Sequence, residues 1–165
     1  MDLHVQMISY FFKRSPFPIA FAGLCMLLCH FPLSIASNPD RIEIYIYGPV
    51  RAQIVDTEGL RSGREFGSGQ RVEEIPGSEV VKEETRERIS GWTIRLLEPS
   101  PGTYRILLKG TGTGGFVIDV DAVDSAGHAR NSHIFRRIGE GDTFEFALLY
   151  SNKPGGKSTL IEVSK

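Results

Sequence analysis

Beyond residue 36 the chain has no cysteine, because Cys25 and Cys29 both lie in the first stretch. That excludes a disulfide framework, a thiolate zinc site and a cysteine nucleophile from the remainder. A basic surplus is also lacking: 19 Lys and Arg stand against 20 Asp and Glu, for a net charge of −1. The electrostatic footprint of a nucleic-acid binder is therefore absent. Histidine is scarce, with only His128 and His133 after His4 and His30. Five apart on a strand, those two point to opposite faces and are not expected to share a metal. Helical patterning is missing as well. Glu79–Arg88 (EVVKEETRER) is the one stretch of helix-compatible composition, yet it has almost no apolar face, so it is expected to be a solvated loop or a single exposed helical turn.

Catalytic motifs are equally thin. Ser62, Ser68, Ser78, Ser90 and Ser100 sit in glycine- or proline-rich connectors, none within a Gly-x-Ser-x-Gly elbow. Gly110–Gly115 is glycine-rich but is followed by neither Lys-Ser/Thr nor a helix, so it reads as a hairpin turn and not as a phosphate cradle. The chain is expected to have no enzymatic activity of its own.

What is present is repeated alternation. From Gly91 to Gly127, one stretch places Trp92, Ile94 and Leu96 on one face. The next places Tyr104, Ile106 and Leu108 there, and a third Phe116, Ile118, Val120 and Ala122. This period of two predicts three consecutive antiparallel strands with one dry face, joined by Pro-Ser-Pro-Gly and Gly-Thr-Gly-Thr-Gly-Gly turns. Trp92 shares a face with Ile94 and Leu96 and is expected in the core. Ile42, Ile44 and Ile46 give an earlier strand, Val50–Val55 another, and Leu60–Ile75 one or two short ones. His128–Ile138, Phe144–Tyr150 and Thr159–Val163 complete about eight strands, which predicts an all-β antiparallel sandwich. Asp56-Thr-Glu-Gly59 and Asp124-Ser-Ala-Gly127 repeat one turn chemistry: an aspartate able to accept backbone N–H groups, then a glycine for the left-handed position.

The N-terminal stretch reads as an export leader. Lys13 and Arg14 precede an apolar run from Phe17 to Ile35, interrupted by Pro18, His30 and Pro32, and Ser34-Ile35-Ala36 supplies small residues for cleavage. Residues 1–36 are thus expected to be a signal peptide or, uncleaved, an anchor, with residues 37–165 as the domain. Export without disulfides fits a bacterial envelope better than an animal secreted domain. A secreted or periplasmic protein follows, with no membrane contact after cleavage.

Two groups of side chains could bind something. Asp119, Asp121 and Asp124 place three carboxylates close together, the hard oxygen donors calcium takes in sets of about six to eight. The alternative is that Arg95, Arg105 and Lys109 pair with Asp119 and Asp121 across adjacent strands, which needs no metal. Tyr45 and Tyr47 alternate with the isoleucines of their strand and would form an outward aromatic platform for sugar rings.

The segments QIVDTEGLRSG, EEIPGS, EPSPGTYRILLKGTGTGGFVIDVDAVDSAG and YSNKPGGKSTL, in that order, resemble a β-sandwich module of bacterial exported proteins. That module, of the immunoglobulin-like or pre-peptidase C-terminal type, is often attached to extracellular hydrolases or follows von Willebrand-type domains. The likeness runs from about Ile42 to Leu160. Thr57, Val80 and Phe116 depart from the pattern, where the module has proline, tyrosine and tyrosine. The resemblance implies an immunoglobulin-like sandwich with a non-catalytic accessory role. The chain is expected to mediate protein interaction or stability outside the cytoplasm, with an envelope protein, an extracellular protein or a glycan as partner. A surface-polymer-binding module and a calcium-stabilised adhesion module are the alternatives.

Overall fold

The computed structural model describes residues 39–84 and 90–164. The expected leader lies outside the described residues. Eleven strands form: β1 (Arg41–Tyr47), β2 (Val50–Val55), β3 (Arg61–Arg64), β4 (Arg71–Glu73), β5 (Ser78–Glu84), β6 (Ser90–Leu97), β7 (Gly102–Gly110), β8 (Gly114–Val123), β9 (Ala129–Ile138), β10 (Thr143–Tyr150) and β11 (Thr159–Ser164). They make two antiparallel sheets, one of five strands in the order β5-β6-β1-β8-β9 and one of six in the order β11-β10-β7-β2-β3-β4.

Alternation explains the layering. In β1 the buried residues are Ile42, Ile44 and Ile46, and in β7 they are Tyr104, Ile106 and Leu108. The inner faces meet in one core that also takes in Ile94, Leu96, Ile118, Phe146 and Leu148. Phe116 meets Phe144 edge-on across the interior, with centroids 5.2 Å apart and planes at 62°. Each fully buried Ile, Leu or Phe contributes about 1.5–3 kcal/mol by leaving water, so the core alone justifies the sandwich.

Three expectations are corrected. The strands β6, β7 and β8 are not neighbours: β6 and β8 flank β1 in the five-stranded sheet, while β7 lies between β10 and β2 in the other. Both connecting segments therefore cross between sheets, and Gly110–Gly115 is no hairpin turn. An inward apolar row looks the same whichever sheet carries it, so period alone could not reveal the switch. Second, the charged stretch after Ser78 is no loop or helical turn as far as Glu84. Glu79–Glu84 belongs to β5 and pairs with β6, with Val80 buried opposite Ile94; residues 85–89 lie outside the described ones. Third, the strands among the described residues number eleven and not about eight, since the short β3 and β4 and the charged β5 all pair.

The two sheets are joined along both rims. On one side the Ser62 hydroxyl bonds that of Ser78 at 2.7 Å, and the Val80 N–H, on an edge strand, donates to Glu73 Oε1 at 2.6 Å. On the other, Arg136 of β9 reaches Glu162 of β11 at 3.0 Å.

Candidate functional site

The outer face of the five-stranded sheet gathers most of the sequence-predicted binding residues. Register sets them in rows. One row runs Glu83, Gly91, Tyr47, Val117, Phe135 from β5 to β9, the next Val81, Thr93, Tyr45, Asp119, His133, and a third Glu79, Arg95, Glu43, Asp121, Asn131.

Tyr45 and Tyr47 do share this face, half-buried and not fully exposed. Tyr47 lies on the bare backbone of Gly91, where an added Cβ would stand 2.5 Å from its ring. Phe135 covers Gly115 in the same manner and stays 57% exposed. Aromatic cover of a strand glycine restores packing that the missing side chain forgoes. Tyr45 donates its hydroxyl to Glu43 Oε2 at 3.1 Å. Burial pushes this phenol above its ordinary value, and the neighbouring Glu43 carboxylate pushes it the same way.

Glu43 is the centre of the face. Its carboxylate accepts from Arg95 at 2.7 Å and lies 3.5 Å from Arg41. Burial alone would raise its pKa; the Arg95 and Tyr45 hydrogen bonds and the two arginine charges outweigh that and hold it below the ordinary value. Arg95 also bonds Glu79 at 2.8 Å. Thr93, fully buried although it belongs to this face, donates to Glu83 at 3.0 Å.

The three aspartates do not converge. Asp119 and Asp121 stand two apart on the face, and Asp119 bonds His133 Nδ1 at 2.5 Å. Asp121 sits directly opposite Glu43 in the register. Its carboxyl is raised by burial first, and then by repulsion from Glu43 and Asp119. Asp124 lies past the end of β8 and is 4% exposed. Its Oδ1 accepts the N–H groups of Ala126 and His128 at 2.9 Å each. Its Oδ2 takes the His128 ring at 3.0 Å and the Gly155 N–H at 2.7 Å. Burial would raise this carboxyl, yet those hydrogen bonds hold it far below its ordinary 3.8. With four protein donors on two oxygens, Asp124 is a structural junction. Among the described residues no group of three or more His, Cys, Asp or Glu is arranged to hold a metal.

The expected pairing of Arg95, Arg105 and Lys109 with Asp119 and Asp121 is replaced by other partners. Arg95 takes Glu43 and Glu79, while Arg105 takes Glu145 at 2.7 Å on the other sheet. Since β7 and β8 belong to different sheets, Arg105 and Lys109 could not reach those aspartates. Trp92 packs against the core only in part, and the Arg64 guanidinium sits 4.0 Å over its ring.

Sequence reasoning missed Glu43 and Phe135 as members of the face, and gave Arg95 the wrong partners. Glu43 could have been found, because it shares parity with Tyr45 two residues on. Phe135 could not, since its place beside Val117 depends on a strand pairing. Comparison of the chain with family models, curated proteins and solved structures finds no match.

Proposed function

We propose that this chain is a non-catalytic, immunoglobulin-like β-sandwich module working outside the cytoplasm, and that it binds a partner through the outer face of its five-stranded sheet. The observation that carries the reading is the Glu43 cluster: Arg41, Arg95 and Tyr45 converge on one carboxylate in the middle of the face, with exposed Phe135 and the Asp119–His133 pair beside it. Side chains locked to one another lose little entropy on binding, which suits recognition. Binding to envelope components should be lost in Asp119→Lys and in Phe135→Ser, and kept in a substitution in an exposed turn such as Glu140→Gln. Equal capture by all three proteins would overturn the reading.

A glycan is the second candidate partner, favoured by Tyr47 and Phe135, two aromatic rings in one row that each cover a strand glycine, two strand spacings or about 10 Å apart. Amide shifts at Tyr45, Tyr47 and Phe135 on titration with oligosaccharides would support it; a flat response across neutral, acidic and amino sugars would remove it. For the calcium-adhesion alternative, Asp119 and Asp121 are the remaining ligands on the face. A melting temperature equal in chelator and in millimolar calcium would reject that role.

A further inference from the structure

The two outer faces of the sandwich differ in charge. On the five-stranded sheet, Glu43, Glu79, Glu83, Asp119 and Asp121 face outward against Arg41, Arg95 and, at one corner, Arg137. On the six-stranded sheet the outward positions of β2, β3, β7 and β10 hold Arg51, Arg61, Arg105 and Lys109 against Glu145 and against Glu74, which pairs with Arg61 at 3.1 Å; Arg51 and Lys109 are the surplus. The Arg51 guanidinium is bonded to the carbonyls of Phe66 and Gly67 at 2.6 and 3.0 Å, so its hydrogen bonds bring no compensating negative charge. On the other face, Asp121 meets Glu43 directly across the strands, a like-charge contact that an incoming cation would relieve.

Each face also carries exposed apolar surface. Phe135, 57% exposed, is level with Val117 and Tyr47 on the acidic face. Leu149 and Ile161, 42% and 47% exposed, flank Ala147 on the basic one. With a net charge of −1 the whole chain offers little overall repulsion between copies.

We propose that copies of this chain stack face to back, the acidic face of the five-stranded sheet of one lying on the basic face of the six-stranded sheet of the next. This rests on the reading that the five-stranded face is the binding face, and it names a second copy as the partner. Five strands across and about seven residues along make each face about 24 Å by 23 Å. Stacking would then bury roughly 1,000 Å² in total, the lower limit for a specific contact. The association is therefore weak, salt-sensitive and head-to-tail, a geometry that extends into a row instead of closing as a two-fold dimer.

Sedimentation velocity of the full chain at rising concentration, in about 20 mM and about 500 mM salt, tests it. The expected result is a rising sedimentation coefficient at low salt, with association at least about tenfold weaker at high salt. Asp119→Lys and Lys109→Glu should each remain monomeric alone, and an equimolar mixture should associate again. Phe135→Ser, which leaves every charge in place, should weaken the wild-type association. A chain monomeric at every concentration in low salt would overturn the proposal, as would an association indifferent to Phe135→Ser. If that monomer still shows amide shifts at Tyr45 and Asp119 with an oligosaccharide, self-stacking fails while the binding face stands.

Discussion

The β2–β3 and β8–β9 turns share one local grammar and have different tertiary roles. In the first, Asp56 Oδ1 accepts the N–H groups of Glu58 and Leu60 at 2.9 Å, and the Gly59 N–H returns to the Asp56 carbonyl. In the second, Asp124 Oδ1 accepts from Ala126 and His128 at 2.9 Å, and the Gly127 N–H returns to the Asp124 carbonyl. Both glycines sit at positive φ, 86° and 81°. The difference arrives from elsewhere. The β10–β11 loop docks on the second turn, giving its Gly155 N–H to Oδ2 of Asp124 while the Asn152 carbonyl accepts from the Ser125 N–H. Tyr150 then bonds the Val123 carbonyl at 2.9 Å. One turn only reverses a chain; its copy joins the ends of two sheets. A turn aspartate thus acquires structural weight from what lands on it, not from its own sequence.

Breaking that contrast should show first at Asp124. Asp124→Ala strands four donors and should lower the melting temperature by roughly 10 °C or more, against roughly 4 °C for Asp56→Ala; equal losses in thermal scans would erase the distinction. The same contrast has an acid signature. Asp124 is held below its unfolded value of 3.8, so its contribution is present above about pH 4 and is lost as pH falls further through the folded value. Urea midpoints from pH 7 to 2 should show wild type ahead of Asp124→Asn at neutral pH and the gap narrowing below pH 4. A constant gap would refute this.

Removing the second tie is milder. Tyr150→Phe removes the hydroxyl's hydrogen bond to the Val123 carbonyl and should cost about 1 kcal/mol in chemical unfolding, with no change in far-UV spectrum. Tyr104→Phe, which frees the Ser100 carbonyl now 2.7 Å from the Tyr104 hydroxyl, serves as a comparison of similar size; burial raises that phenol to about 12. His128→Gln is the smallest perturbation. Its ring is 62% exposed, and losing one bond to Asp124 should move the unfolding midpoint by less than about 1 kcal/mol. A larger shift would mean the ring, and not the backbone, holds the carboxylate.

Much of the fold was legible before any coordinates. Ile42, Ile44 and Ile46, or Phe116, Ile118 and Val120, announce a strand and its inward face at once. The candidate face was half legible: Tyr45, Asp119 and Asp121 could be named, Arg95 could be set beside the aspartates and Glu43 shares parity with Tyr45, but nothing local linked them to Phe135. Asp124 seemed to belong with Asp119 and Asp121 because it is near them in sequence, but its carboxylate is taken up by the N–H groups of its own turn and by Gly155 of the β10–β11 loop. Glu79–Glu84 misled because an edge strand tolerates charge that an interior strand would not.

The chain's own alternation determined that it would be β-structure, where most strands run, which side of each is dry and how its Asp-x-x-Gly turns bend. These are local facts, fixed by a period of two and by glycine's access to positive φ. Only the tertiary structure decided which strands lie side by side, which of two like turns became a junction, and which charges share a face. Those depend on register between segments far apart in sequence, and an inward isoleucine fits equally well against either sheet.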